Sequence, residues 1–296
     1  KVYMSSILPL YLCSLDPETE ETTLHGRVDG AEVYSFVNHK GKLWMAAYPW
    51  GAISSYDPAK PWNPSRDPSG NPFMLPGDNK YIHRPYHMTV SPDNQRILIG
   101  GIPDYGMLGG SLVVFNPESC EKEAEYRNII QDHSIQGLCV TADGLVCGGS
   151  ATEGGGGAHA LDGDAEIFLW DYYERKKLFS MVAVPGTQSV TDLILGPDKM
   201  IYGLADSFIF VFDPDRREIV HVEKSVYGDP AFNALTLSPK GTVLALLGSD
   251  VVEIQPKTYH SESIAHYSDQ ITAGAAIVDD MMYFGCKSHV IGFRIY

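Results

Sequence analysis

No stretch of this 296-residue chain stays apolar for the roughly 20 residues that a membrane-spanning helix needs, because Asp, Gly or Pro interrupts each run. The sequence therefore predicts a soluble protein with no membrane span. Basic residues are also scarce: 22 Lys and Arg stand against 37 Asp and Glu, the formal net charge is -15, and no basic run offsets it. A nucleic-acid partner is excluded on that ground, since phosphate binding needs clustered cations. Cysteine is sparse and odd in number, with Cys13, Cys120, Cys139, Cys147 and Cys286 and no CxxC pair. This argues against a disulfide framework or a zinc knuckle; Cys139 and Cys147, set in apolar strand patterns, read as buried free thiols. Helix-period stripes are hard to find. The chain opens Lys1-Val2-Tyr3, without an initiator Met or a signal peptide, which predicts that it belongs to a longer protein whose other domains accompany it.

What the chain has in quantity is turn and strand chemistry. It holds 29 Gly, 19 Pro, 17 Tyr and 11 Phe among short Val, Ile and Leu runs, which points to an all-β fold. Four segments repeat one pattern. Ser91-Pro92-Asp93-Asn94 and a strand-like run lead to Phe115-Asn116-Pro117; Gly196-Pro197-Asp198-Lys199 leads to Phe212-Asp213-Pro214. Ser238-Pro239-Lys240-Gly241 leads to Ile254-Gln255-Pro256, and His39-Lys40-Gly41-Lys42 leads to Tyr56-Asp57-Pro58. The recurrence is about every 40 to 50 residues, the length of a propeller blade. Pro, Gly and Asn supply the backbone angles of a tight hairpin between the first two strands. Alternation in residues 208–212 predicts that every second side chain meets a neighbouring blade, and the Asp-Pro that follows ends the strand.

Residues 138–171 and 275–295 fit the template less fully, and residues 2–17 look like a blade without its first strand. The expected fold is an all-β propeller of about seven four-stranded blades, incomplete at both ends, occupying residues 1–296 as one domain. The ragged ends predict that ring closure needs residues before Lys1.

In such a fold the first strand of each blade lines a central channel, and the loops at its start form the face where ligands bind. Aligning the repeats puts Tyr34, His87, Gly137, Asp192, Ala234 and Gly274 at equivalent places; only Tyr34, His87 and Asp192 are polar. Three adjacent blades carry elaborated loops between their second and third strands: Tyr48-Pro49-Trp50-Gly51, residues 102–110 with Tyr105, and residues 150–159. A further insertion, residues 61–78, is expected to fold over the same face. The densest polar stretch is Tyr81-Ile82-His83-Arg84-Pro85-Tyr86-His87. Imidazole and phenol move protons, and Arg pairs bidentately with a carboxylate, so His83, Arg84, Tyr86 and His87 are the candidate catalytic residues of a site for uronates. Tyr34, Tyr48, Trp50, Tyr105, His133 and Asp192 are the candidate substrate-binding residues. A divalent cation (calcium, manganese or zinc) would draw its donors from His83, His87, His133, Glu153 and Asp192, whose spacing matches no compact metal motif. The run Gly154 to Gly157 lacks the Lys-Ser/Thr and the helix of a phosphate loop.

The S-P-D and F-D-P repeats resemble the seven-bladed propellers with YVTN-type and gluconolactonase-like repeats, over nearly the whole chain. Y-P-W-G-A at Tyr48 to Ala52, P-D-Y-G-x-x-G-G at Pro103 to Gly110 and E-I-F-L-W-D at Glu166 to Asp171 look like a subgroup of large extracellular bacterial propeller proteins. Propeller polysaccharide lyases, which the fold also resembles, use His, Tyr and Arg on one face. The resemblance implies an extracellular or cell-surface protein that binds or cleaves an acidic polysaccharide or oligosaccharide, as a β-eliminating lyase if it is an enzyme. Its alternative is a noncatalytic carbohydrate- or protein-binding module.

Overall fold

The structure, a computed structural model, describes residues 1–7 and 10–296. Among the described residues there are 26 β-strands, one 3-10 turn and no α-helix. None of them forms a helix long and apolar enough to cross a membrane. The chain falls into two compact units, Lys1–Gln136 with Thr152–Asp162, and Gly137–Ala151 with Gly163–Tyr296.

The first unit holds three antiparallel sheets whose strands follow chain order. One has three strands, β1 (Val2–Ser5), β2 (Tyr11–Leu15) and β3 (Thr22–Arg27). The next has β4 (Glu32–His39), β5 (Lys42–Tyr48), β6 (Ala52–Tyr56) and β7 (Phe73–Leu75). The third has β8 (Arg84–Val90), β9 (Ile97–Ile102), β10 (Ser111–Asn116) and β11 (Glu121–Arg127), preceded by the 3-10 turn Lys80–Ile82. Its core joins Trp44, Ile53, Ile97, Ile99 and Phe115 in one cluster and Leu12, Met45 and Tyr56 in another.

The chain leaves the first unit within β12 (Ser134–Val140), which heads a sheet with β13 (Val146–Ala151), β14 (Glu166–Asp171) and β15 (Lys176–Val182). The second unit continues with a sheet of β16 (Val190–Leu195), β17 (Ile201–Ala205), β18 (Phe208–Asp213) and β19 (Glu218–Lys224). Then come β20 (Pro230–Leu237), β21 (Val243–Leu247), β22 (Asp250–Ile254) and β23 (Ser261–His266), followed by β24 (Ile271–Val278), β25 (Met281–Cys286) and β26 (His289–Arg294). A parallel bridge from Phe232 in β20 to Ala273 in β24 joins these last two sets into one seven-stranded sheet. Cys139 and Cys147 are buried free thiols in this unit's core.

The turns after Asp213, Asp171 and Asn116 share one construction. The Asp213 carboxylate accepts from the backbone N–H groups of Asp215 and Arg216 at 3.0 Å each, and Arg217, at φ 59°, closes the turn onto the Asp213 carbonyl. Asp171 does the same for Tyr173 and Glu174, and Asn116 for Glu118. These side-chain acceptors replace ladder bonds that the turn forgoes, each with a net contribution of about 1 kcal/mol. Opposite each of these turns the fourth strand carries a bulge, as at Val211/Phe212, Leu169/Trp170 and Val114/Phe115.

Burial departs from the alternation expected of residues 208–212. In β18 Ile209 to Asp213 are all buried, and β9, β13 and β21 are buried along their full length. Both faces of these inner strands are packed, so the period-two signal is lost, as it is in any strand covered on two sides. Exposure returns in the fourth strands β11, β19 and β23.

Candidate functional site

The first strands carry a second regular irregularity. β4 slips register between Val33 and Ser35, β8 between Arg84 and His87, and β16 between Val190 and Asp192. A bulge adds a residue and re-aims the side chains beside it. In the first unit the re-aimed side chains are Tyr34, Arg84 and Tyr86.

Two loops fix the groups opposite them. Trp50 stands at φ 57°, a left-handed conformation that costs a non-glycine residue about 1 kcal/mol or more. The loop around it is braced from below: the Asn79 N–H donates to the Trp50 carbonyl at 3.0 Å, and a Cβ on Gly77 would lie 2.4 Å from the Pro49 carbonyl oxygen. The Asp104–Tyr105 loop is held by the Asp104 N–H to the Lys80 carbonyl at 2.7 Å. It also pairs with the glycine run, Gly106 N–H to the Gly156 carbonyl at 3.0 Å and Gly155 N–H to the Met107 carbonyl at 2.8 Å. A Cβ on Gly155 would sit 1.8 Å from the Asp104 carbonyl oxygen, so this position is glycine because two backbones touch there.

These supports build an aromatic box around an imidazole. His83 is only 2% exposed, and the rings of Tyr48, Tyr105 and Trp50 meet it edge-on at centroid distances of 4.8, 5.4 and 5.8 Å. Its Nδ1 lies 3.5 Å from Asp104 Oδ1, beyond a good hydrogen bond, and neither ring nitrogen has a hydrogen-bond partner among the described residues. Burial lowers its pKa, with Arg84 adding to the effect and Asp104 opposing it. Asp104 accepts from Trp50 Nε1 at 3.0 Å and from the Tyr105 N–H at 2.7 Å, and those bonds hold its carboxyl below the usual range.

Above the imidazole, the Arg84 guanidinium lies over the Tyr48 ring at 5.3 Å and the Tyr105 ring at 5.1 Å. Nη2 donates to the Tyr105 hydroxyl at 3.2 Å, and Arg84 also bonds the Tyr34 hydroxyl. The Tyr48 and Tyr105 hydroxyls share a hydrogen bond of 3.2 Å. That bond, reinforced by Arg84, makes Tyr105 the more acidic phenol of the two; Tyr48 is raised by the same bond and by burial. Burial, aided by Glu32, pushes Tyr34 up to about 12, and its ring meets that of Tyr86 at 5.6 Å. Burial and the charges of Glu153 and Glu32 raise Tyr86 as well.

Of the residues singled out in the sequence, Tyr34, Tyr48, Trp50, His83, Arg84 and Tyr105 thus form one cluster, with Tyr86 beside Tyr34. His87, the first paired residue after the bulge of β8, is pushed down to about 4 by burial and is neutral at pH 7. His133 lies in the turn before β12, where its carbonyl accepts from Gly110 and its N–H donates to Ile130. Asp192 belongs to the second unit and is 4% exposed; its carboxylate accepts from the N–H groups of Leu193 at 2.9 Å, Leu235 at 2.8 Å and Ala234. That is the work of a brace between β16 and β20. Among the described residues no three His, Cys, Asp or Glu side chains converge as a metal site would require. The insertion of residues 61–78 divides its role: Trp62 packs on Tyr56 and His25, Arg66 pairs with Asp29 at 3.4 Å, and only its end reaches the Trp50 loop. Two contributors were missed from the sequence, Asp104 and Glu32. Asp104 had a signal, since it lies inside the P-D-Y-G loop.

No family model and no curated protein matches this chain. Solved structures do. A chain of the crystal structure of the mitotic checkpoint complex superposes with a TM-score of 0.71 at 10% identity, covering 99% of this chain and 83% of that one. A structure described as a putative 6-phosphogluconolactonase from Bacteroides fragilis gives a TM-score of 0.66 at 13% identity, covering 96% and 86%. With the successive antiparallel sheets, these likenesses support the propeller fold. Neither structure is described as a lyase.

Proposed function

We propose that the Tyr48–Trp50–Arg84–Tyr105 cluster binds an acidic saccharide, with Arg84 pairing the uronate carboxylate and the exposed rings of Trp50 and Tyr105 stacking on the sugar. The observation that carries the reading is the state of Arg84. In a chain of net charge -15, its guanidinium is framed by two phenol rings and two phenol hydroxyls, and among the described residues no carboxylate pairs with it. A guanidinium held in a fixed plane by phenols, with the Asp104 charge reaching it only from beyond ion-pair distance, is prepared for a bidentate anion. Trp50 and Tyr105, 45% and 56% exposed, offer apolar faces beside it.

A lyase reading has one observation in its favour, the acidified Tyr105 hydroxyl next to Arg84, which suits proton transfer at a carbon beside a carboxylate. In that reading Tyr105 carries the proton, since His83 is roofed by rings and His87, buried and pushed down to about 4, is a weak base. The proposal further takes each set of three or four strands as one blade of a seven-bladed propeller, in an extracellular or cell-surface protein. A protein partner is the competing occupant, and the neighbour that forms part of a checkpoint complex favours it.

Calorimetric titration with uronate-containing and neutral oligosaccharides tests the reading. Acidic ligands are expected to bind, and Arg84→Ala to weaken them by about tenfold or more, roughly 1.4 kcal/mol. No binding of any acidic sugar, or equal binding by Arg84→Ala, overturns it. Ultraviolet absorbance from an unsaturated product, abolished in Tyr105→Phe while binding persists, assigns the lyase; binding without product assigns the module.

A further inference from the structure

Trp50 has a second neighbourhood. Its indole also lines a cleft of about 410 Å³ whose other walls include Asp78, Lys80, Lys122 and Glu125. The indole is fixed by its bond to Asp104, so the ring is a shared wall between the Arg84 cluster and this cleft. The charges of the cleft are two carboxylates and two amines, so it carries no net charge. Glu125 is already filled by Ser111 at 2.6 Å, Asn79 at 2.9 Å and Lys122 at 3.1 Å. Asp78 is exposed at the rim. The Tyr81 ring is covered by the Arg127 guanidinium at 3.7 Å, which leaves Trp50 as the stacking surface.

A second uronate entering this cleft would meet the Asp78 carboxylate as well as the Lys80 amine, so the rim gives it no net attraction. Sugar hydroxyls both donate and accept, and a mixed rim of amine, amide and carboxylate satisfies both roles. We infer that the ligand is a chain in which a uronate is joined to a neutral, hydroxyl-rich sugar, the uronate on Arg84 and the neutral sugar across Trp50 in the cleft. This rests on the acidic-saccharide reading above and narrows it from uronates in general to alternating acidic and neutral units.

Three probes separate the possibilities by titration: free glucuronate, tetragalacturonate, and a tetrasaccharide alternating glucuronate with N-acetylglucosamine. The alternating tetrasaccharide is expected to bind about tenfold tighter than tetragalacturonate. Asp78→Lys should shrink or reverse that preference while moving free glucuronate much less, because the added cation sits at the cleft rim. Equal affinity of the two tetrasaccharides, or a preference untouched by Asp78→Lys, overturns the inference while leaving the acidic-saccharide reading in place. If none of the three binds, the acidic-saccharide reading itself has failed.

Discussion

The starts of β8 and β16 occupy the same place in the repeat, each beside a first-strand bulge, and they use their polar groups in opposite ways. In β16 the Asp192 carboxylate is enclosed and fully engaged by backbone N–H groups. In β8 the Arg84 guanidinium stays partly open, bonded to phenols and not ion-paired to a carboxylate among the described residues. The bulge decides only that a side chain is re-aimed there. What lies around it decides whether that side chain braces the fold or serves a ligand. Around Asp192 the neighbours are main-chain donors of β20; around Arg84 they are the rings of two elaborated loops.

The largest expected effect lies on the β16 side. Asp192→Ala strands three buried backbone donors, and at about 1 kcal/mol or more for each the loss of stability should reach about 3 kcal/mol in urea unfolding. A loss under about 1 kcal/mol would mean that β16 is not braced in this way and that the contrast with β8 is false. Next is a change aimed at the β8 side without touching its side chains. Gly155→Ala forces a methyl against the Asp104 carbonyl, with an expected cost of about 1–3 kcal/mol and a displaced Tyr105. Acidic-saccharide affinity should fall with it. Full retention of both stability and affinity would show that the glycine run does not set the loop.

Much of the fold was legible because the turn chemistry is local. Asp213-Pro214 and Asn116-Pro117 announce their turns through side-chain acceptors two or three residues from the N–H groups they serve, and the observed bonds are of that range. The cluster was legible as a set of types, with Tyr48, Arg84 and Tyr105 flagged by loop position. What was not legible depends on contacts between segments distant in sequence. Asp104 matters through Trp50, 54 residues away. The roof over His83 comes from three other loop residues, so nothing in the stretch from Tyr81 to His87 marks that imidazole as enclosed. Asp192 and His87 look alike as polar residues at a first-strand start, because the donors facing Asp192 lie in β20, 43 residues on.

The last prediction is a pair of opposed pH slopes. His87 sits at about 4 in the folded protein against about 6.5 in an unfolded chain. Below pH 6.5 the unfolded state takes up a proton that the native state refuses, so its contribution to stability is lost as pH falls from about 6.5 to about 4. Asp192 sits at about 7 when folded and near 3.9 when unfolded. Between those values the native state holds the extra proton, so its contribution is lost as pH rises from about 3.9 to about 7. In the wild-type protein the two slopes oppose each other. His87→Gln removes the first, so relative to wild type its urea midpoint should shift toward greater stability at pH 5 than at pH 7. Asp192→Asn removes the second and should shift the balance the other way, toward pH 7. Identical pH dependence in wild type and both variants would mean that neither group is held away from its ordinary value. A shift in one variant alone would locate the burial that matters at that strand start.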